Sequence, residues 1–225
     1  MAFRFFRSST IPQDQVVYIY DLTKNIIAPG ERAFMSPLIE RMVDKVIDGR
    51  LPAGWRSDKK FLKQISKQFQ NENWSTYNLD HFPDYYAAYY LPNNLYKIQL
   101  MFLDLFRFGK ISFSEKKLRI LDIGSAIGTT AWAVYDLFEI LYHVLELYGL
   151  KADSLPQVQV ESIEKSEANI DFFTLMLSEM NGTSSRVTVI PPTQGDVLNG
   201  ALEEINLGKY DVIVASNVIN EFPSD

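Results

Sequence analysis

The sequence contains no cysteine and only two histidines, His81 and His143, in 225 residues. Disulfide bonds, thiolate-bound zinc, iron–sulfur clusters and cysteine nucleophiles are therefore excluded within these residues. The two histidines lie far apart in the sequence, so a histidine-based metal centre is not expected. We predict that the protein has no metal site.

Long apolar runs are also missing. No stretch of about 18 apolar residues occurs, so no transmembrane helix and no membrane partner are expected. The first ten residues, MAFRFFRSST, lack the continuous apolar stretch and the cleavage site of a secretory signal. We expect a cytoplasmic protein, with a short organellar presequence and a matrix location as the alternative.

Acidic residues are scarce in the first part of the chain and basic residues in the second. Residues 1–119 hold 18 Lys and Arg against 12 Asp and Glu, whereas residues 120–225 hold 4 against 16. Such asymmetry indicates two parts with different partners. The basic part is suited to contact a polyanion such as RNA, and a merely solvated surface is the alternative.

The first part has the periodicity of helices. Apolar residues recur at helical spacing from Ser36 to Gly49, from Asp58 onward, in a tyrosine-rich segment 84–91 and over residues 93–108. A strand-like patch, residues 16–20, interrupts an otherwise irregular start. We predict an N-terminal helical domain over residues 1–115.

The pattern changes at Leu118. Strands are predicted at 118–122, 157–163, 186–190 and 210–215, and helices at 129–147, 167–180 and 198–205. Alternation of this kind indicates βαβ units and a parallel sheet, here in the order 3-2-1-4. Right-handed crossovers then place a ligand at the carboxyl ends of the strands.

A glycine loop, Asp122-Ile-Gly124-Ser125-Ala126-Ile-Gly128, follows the first predicted strand and opens a predicted helix. It does not match the G-x-G-x-x-G of dinucleotide sites. It fits acid-x-Gly-x-Gly-x-Gly, a pattern of class I methyltransferases, with alanine as the middle residue. An acid at the strand end suits a ligand with an ammonium group, so we predict S-adenosylmethionine as the cofactor; a turn without a ligand is the alternative.

Two further acids are candidates for binding the same cofactor. Glu164 ends the second predicted strand, where a carboxylate can accept both ribose hydroxyls, and this position favours it over Glu161. Asp196 follows the third strand and resembles the acid that meets the adenine amino group in class I methyltransferases, with Val197 beside the ring. As an alternative role, Asp196 can cap the helix that follows.

The segment after the fourth predicted strand faces the transferred methyl group in that fold. It carries Asn217, Asn220 and Glu221, our catalytic candidates, which can equally orient a substrate or cap the next helix. The Asn-Pro-Pro-Tyr signature of methylation at base amino groups is missing. Methyl transfer can proceed mainly by positioning, so no acid–base group is required.

Two stretches resemble one family. They are YYAAYYLPNNLYKIQLMFLDL at residues 85–105, and LDIGSAIGTTAWA together with YDVIVASNVINEF. Both resemble the mitochondrial small-ribosomal-subunit methyltransferase-like family, which also has bacterial members. The resemblance covers about residues 85–222.

The resemblance implies a class I methyltransferase fold, S-adenosylmethionine binding and a link to small-subunit rRNA or ribosome assembly. Gly124, Gly128, Glu164 and Asp196 would bind the cofactor by their motif positions. The chain departs from the family in lacking the cysteines of its iron–sulfur cluster and in stopping after the fourth predicted strand, so we expect a C-terminally truncated chain.

The sequence therefore predicts an α/β protein in which a helical N-terminal domain precedes a partial Rossmann-like class I methyltransferase sheet, over residues 116–225. The predicted reaction is S-adenosylmethionine-dependent methyl transfer to rRNA. The alternatives are an assembly factor that binds S-adenosylmethionine without catalysis and a small-molecule methyltransferase.

Overall fold

The computed structural model describes residues 13–29, 35–51, 60, 63, 67, 81–111, 116–149, 155–180, 186–197, 200 and 205–216. The helices are α1 Gln13–Ile27, α2 Pro37–Asp48, α3 Phe82–Tyr89, α4 Leu91–Arg107, α5 Thr129–Leu147 and α6 Glu167–Glu179. The strands are β1 Lys117–Ile123, β2 Gln157–Glu164, β3 Val187–Val189, β4 Thr193–Gln194 and β5 Val212–Val214.

The strands form a parallel sheet in the order β3-β2-β1-β5, and β4 pairs with the end of β2 beyond β3. The predicted α/β architecture is confirmed, and so is the predicted order, because the fourth predicted strand is β5. The chain moves from β1 to β2 and β3 on one side and returns to β5 on the other. A switch point thus lies at the carboxyl end of β1, where open α/β sheets bind ligands.

Side chains that alternate along β1 and β2 divide between two apolar clusters. Leu118 and Ile120 of β1 belong to the larger cluster, which also contains the buried residues of the helices. Leu121 and Ile123 belong to the smaller one, on the opposite face of the sheet. Asp122 shares the face of Leu118 and Ile120 and therefore lies on the helical side.

Helix α5 is enclosed between the sheet and the N-terminal helices. Every residue from Thr129 to Phe138 is buried, as expected of a helix that is apolar on all sides. It packs against α1 and α4, and the side-chain amide of Gln99 in α4 donates to Asp136 in α5 at 2.9 Å. The N-terminal helices and the sheet thus share one core, and the domain boundary near residue 115 stays a prediction.

Helix α2 begins and ends where the sequence predicts. Ser36 caps it by accepting a hydrogen bond from the N–H of Ile39 at 3.4 Å, Pro37 is its first residue and Gly49 its C-cap. Beyond its end, Arg50 forms a hydrogen-bonded ion pair with the fully buried Asp84 of α3, with Nε and Oδ1 2.6 Å apart.

The predicted strand at 16–20 is wrong, because these residues lie within α1. The buried residues of this helix have the spacing of one helix face; they are Ile19, Tyr20, Thr23 and Ile27. The helical pattern is hard to recognise in the sequence, because residues 16–20 alone are a run of β-branched and aromatic residues. Lys60, Lys63 and Lys67 are helical and exposed, but most of the helix predicted from Asp58 lies outside the described residues, as does most of the one predicted at 198–205.

Candidate functional site

The glycine loop, residues 124–128, leaves the carboxyl end of β1 and leads into α5. It is fastened to the neighbouring strand, because the N–H groups of Gly124 and Ser125 both donate to the carbonyl of Ile163, at 2.9 and 3.1 Å. Positive φ angles of 65° at Gly124, 49° at Ala126 and 87° at Gly128 shape the turn. The loop therefore lies across the ends of β1 and β2, at the switch point.

Gly128 allows the loop to approach α6 closely. A Cβ atom at this position would lie 2.7 Å from the ring of Phe173, closer than real side chains come. Trp132 holds the same region, since its indole N–H donates to the carbonyl of Ile127 at 2.7 Å and its ring meets Phe173 edge to face. The contacts of Gly128 and Trp132 with Phe173 of α6 thus fix the position of the start of α5.

Asp122 is a fully buried acid beneath the loop, and no described residue completes a hydrogen bond with either of its carboxylate oxygens. Burial raises its pKa to about 7, and the charge of Glu164 adds to the rise. The hydroxyl and N–H of Thr130 lie close enough to oppose this rise in the pKa, although their geometry does not complete a hydrogen bond. A cation placed here would stabilise the ionised carboxylate.

Within the part of the chain that the structure describes, other buried polar atoms in and near the loop also lack hydrogen-bond partners. They are Ser125 Oγ, Thr129 Oγ1, Thr130 Oγ1, Ser162 Oγ and Asn169 Oδ1. Ser162 lies directly beside Asp122 in the register of β1 and β2, and Asn169 stands in the first turn of α6. Each unsatisfied buried polar group costs about 1–3 kcal/mol, so these groups require water or a polar ligand as hydrogen-bond partners.

Glu164, at the end of β2, fastens the glycine loop from the other side. Its Oε2 accepts a hydrogen bond from the N–H of Ala126 at 2.7 Å. Its Oε1 accepts from the N–H of Ser166 at 2.9 Å and from the side-chain amide of Asn169 at 3.3 Å. The sequence predicted its place at the carboxyl edge but not this structural role, and ribose binding by Glu164 stays a prediction.

Glu161 lies on the opposite face of the sheet, as the alternation along β2 requires. Its carboxylate accepts from the hydroxyl of Tyr210 at 2.7 Å and from the ammonium of Lys209 at 3.0 Å. Partial burial raises its pKa, but these hydrogen bonds outweigh the effect, so the pKa lies below its usual value. Glu161 therefore ties β2 to the segment before β5, away from the glycine loop.

Strand β4 brings Asp196 to the same edge of the sheet as Glu164. Gln194 pairs with Glu164, and the N–H of Gly195 donates to the carbonyl of Glu164 at 3.0 Å. Asp196 comes next and is half-buried, and Val197 packs on the smaller apolar cluster. The chain after Pro191-Pro192 thus returns to the carboxyl end of β2 instead of leaving the sheet.

Tyr86 and Asn94 are two site residues that sequence reasoning missed. Tyr86 of α3 is buried, and its hydroxyl accepts a hydrogen bond from the side-chain amide of Asn94 in α4 at 2.8 Å. Burial raises the pKa of Tyr86, and the charges of Asp122 and Glu164 raise it further. The resemblance drew attention to residues 85–105, but nothing in the pattern marked either side chain.

The catalytic candidates Asn217, Asn220 and Glu221 lie outside the described residues, which end at Ser216 just after β5. Among the described residues there is no group of three or more His, Asp or Glu side chains arranged to hold a metal ion. Within the same part of the chain, no helix is long and apolar enough to cross a membrane.

The arrangement can bind a polar ligand with a cationic group next to Asp122. Two carboxylates, Asp122 and Glu164, lie under and beside the loop, and they would repel a phosphate placed where dinucleotide loops bind one. Comparison of the chain with protein-family models, with curated proteins and with solved structures finds no match.

Proposed function

We propose that the protein binds S-adenosylmethionine and transfers its methyl group to RNA of the small ribosomal subunit. The observation that carries the binding part is Asp122, a buried carboxylate beneath a glycine loop to which no described residue completes a hydrogen bond. S-adenosylmethionine has an ammonium and a sulfonium group, so it would compensate this charge. NAD would instead bring a pyrophosphate to a place with two carboxylates.

The other residues predicted to bind the cofactor lie at the same carboxyl edge of the sheet. Glu164 is the last residue of β2 and Asp196 follows β4, and in our proposal they bind the ribose and the adenine of the nucleoside. Glu164 already accepts hydrogen bonds from Ala126, Ser166 and Asn169. In our proposal a ribose hydroxyl also donates to Glu164 while Glu164 continues to hold the loop.

Calorimetric titration with S-adenosylmethionine and with NAD tests the binding proposal. We expect micromolar binding of S-adenosylmethionine and none of NAD. Gly124→Val should abolish binding, because a β-branched residue resists the φ of 65°. Gly149→Val, at a φ of 66° beyond the other end of α5, is the control and should bind normally. A preference for NAD, or no binding of either, contradicts the proposal.

RNA is proposed as the acceptor of the methyl group for two reasons. The family that the sequence resembles is linked to the small ribosomal subunit, and the first part of the chain is basic. Exposed Lys60, Lys63 and Lys67 recur at helical spacing. Neutralising them to Gln together with Lys59 should weaken RNA binding and lower the salt slope by about 0.7–0.9 for each phosphate that the protein no longer neutralises. As a control, Lys24, Lys110 and Lys116 are replaced instead; unchanged binding in the first variant contradicts the role of these lysines.

Methyl transfer is tested separately from binding. Small-subunit particles that lack the modification are incubated with excess protein and S-adenosylmethionine labelled in the methyl group, for a single turnover. Label in the RNA supports the methyltransferase. Cofactor binding without transfer to any component of the particle contradicts catalysis and supports an assembly factor that only binds S-adenosylmethionine.

A further inference from the structure

The N-terminal helices contribute a hydroxyl group to the proposed cofactor site at the carboxyl end of β1. Tyr86 of α3 is only 6% exposed, and the hydroxyl of Thr129, the first residue of α5, lies beside its own. Helix α3 also packs against α6, which carries Asn169. The phenol therefore lies between Asn94 of α4 and the first residue of α5, which follows the glycine loop.

A chain of side-chain contacts fixes the direction of this phenol. The ammonium of Lys97 lies 3.4 Å from Asn94 Oδ1, and Asn94 Nδ2 donates to the Tyr86 oxygen at 2.8 Å. Because the amide nitrogen occupies a lone pair of the phenol oxygen, the phenol proton remains to be donated elsewhere. The Thr129 hydroxyl lies beside this proton, but Thr129 Oγ1 completes no hydrogen bond with any of the described residues.

The charges of Asp122 and Glu164 both raise the pKa of Tyr86, so both carboxylates lie within electrostatic reach of its hydroxyl. Among the described residues no hydrogen bond to the Asp122 carboxylate is complete, although the hydroxyl of Thr130 lies close to it. The hydroxyls of Tyr86 and Thr129 lie beside each other and supply protons that a carboxylate could accept. An α-amino acid group matches such a pair, because its ammonium and carboxylate are attached to one carbon and must be bound side by side.

We propose that Tyr86 is a specificity-determining residue that donates its hydroxyl proton to the carboxylate of the ligand's amino acid tail, while Asp122 accepts from the adjacent ammonium. The inference rests on the proposed function, since S-adenosylmethionine is the ligand that brings this tail. Asn94 acts as a positioning residue that keeps the phenol oriented. The helical region thereby distinguishes nucleosides with the tail from those without it.

Titration with two product-like nucleosides tests this role. S-adenosylhomocysteine carries the tail, and methylthioadenosine has the same thioether and adenosine without it. Tyr86→Phe should weaken binding of S-adenosylhomocysteine about tenfold or more, as expected when a hydrogen bond to a charged group is removed, and change that of methylthioadenosine less than twofold. Tyr96→Phe, which removes a half-buried hydroxyl from α4, is the control and should change neither.

The outcomes distinguish a failure of the proposed function from a failure of the role assigned to Tyr86. If the wild type binds neither nucleoside, the proposed function fails and the inference with it. If the wild type binds both and Tyr86→Phe weakens both equally or neither, the cofactor site stands and the role of Tyr86 is overturned.

A second variant covers the case in which Tyr86→Phe does not fold. Asn94→Ala keeps the phenol but releases its orientation, so we expect a smaller loss of affinity, about threefold, confined to S-adenosylhomocysteine. Equal affinities of this variant and the wild type for S-adenosylhomocysteine, or a matching loss for methylthioadenosine, overturn the inference as well.

Discussion

The carboxylate of Glu164 accepts a hydrogen bond from the backbone N–H of Ala126, with 2.7 Å between Oε2 and N. The last residue of β2 thereby holds the middle of the loop that follows β1. Since the same carboxylate also binds Ser166 and Asn169, it joins the glycine loop to the start of α6. Cofactor binding and loop stability should therefore depend on one side chain.

Glu164→Gln should lower the free energy of unfolding by about 1–3 kcal/mol, because hydrogen bonds to a charged acceptor are removed and an amide N–H₂ group faces backbone donors. It should also weaken nucleoside binding. Chemical denaturation and calorimetry measure the two effects.

Glu161→Gln is the matched control for Glu164→Gln. It removes a carboxylate from the same strand on the opposite face, where Tyr210 and Lys209 donate to it. We expect a smaller loss of stability, since Glu161 is only half-buried, and unchanged nucleoside binding. If both variants bind nucleoside equally, the role assigned to Glu164 in the site is wrong.

Asp122→Asn should make the protein more stable at pH 8 than the wild type. The pKa of Asp122 is raised from 3.8 to about 7, so between these values the unfolded chain is ionised while the folded protein holds a proton. The wild type therefore loses stability as pH rises through this window and loses no more above it. The full effect is at most about 4 kcal/mol, from about 1.36 kcal/mol per pKa unit.

Thermal unfolding from pH 4 to pH 8 measures the difference between the two proteins, which should grow across the window and then become constant. Asp21→Asn on the exposed side of α1 is the control and should give no such growth. A difference that is constant with pH, or that shrinks as pH rises, would show that Asp122 is ionised throughout.

Ala126→Gly should stabilise the loop slightly. Ala126 has a φ of 49°, in a region that costs an L-residue about 1–2 kcal/mol and glycine almost nothing. The greater entropy of glycine in the unfolded chain offsets part of the gain, so we expect an increase of about 0.5 kcal/mol in unfolding free energy. A marked loss of stability would contradict the assigned backbone conformation.

Gly128→Ala and Gly109→Ala form a pair that separates backbone strain from collision. Both glycines have positive φ, 87° and 64°, but a Cβ atom meets Phe173 only at Gly128 and nothing within 4 Å at Gly109. We expect a loss of about 1 kcal/mol for Gly109→Ala and about 2–4 kcal/mol for Gly128→Ala. Adding Phe173→Leu should recover part of the second loss; equal losses in both single variants would argue against the close approach.

Much of the sheet could be predicted from the sequence because local signals agree there. The glycine before α5 indicates where that helix begins, and the asparagine and glycine after α6 indicate where that helix ends. The apolar runs in β1 and β2 indicate strands. In contrast, residues 16–20 have strand propensity, and only their packing against α4 and α5 makes them helical. Strand β4 has two residues, too few for a periodic pattern.

The candidate site could be predicted only along the sheet. Asp122, Glu164 and Asp196 come at strand ends, where topology brings residues together whatever lies between them. Tyr86 and Asn94 reach the same place through the packing of α3 and α4, which no sequence spacing reveals. For the same reason the sequence did not show that Glu164 holds Ala126.

Hydrogen–deuterium exchange with and without S-adenosylhomocysteine tests the central claim most directly, because it reports both binding and its place. We expect slower exchange in residues 122–131 and 162–169, and a smaller effect in α3, with no change in α2 or in the segment 205–211. Protection elsewhere, or unchanged exchange in the glycine loop at saturating ligand, would contradict a cofactor site at the carboxyl end of β1.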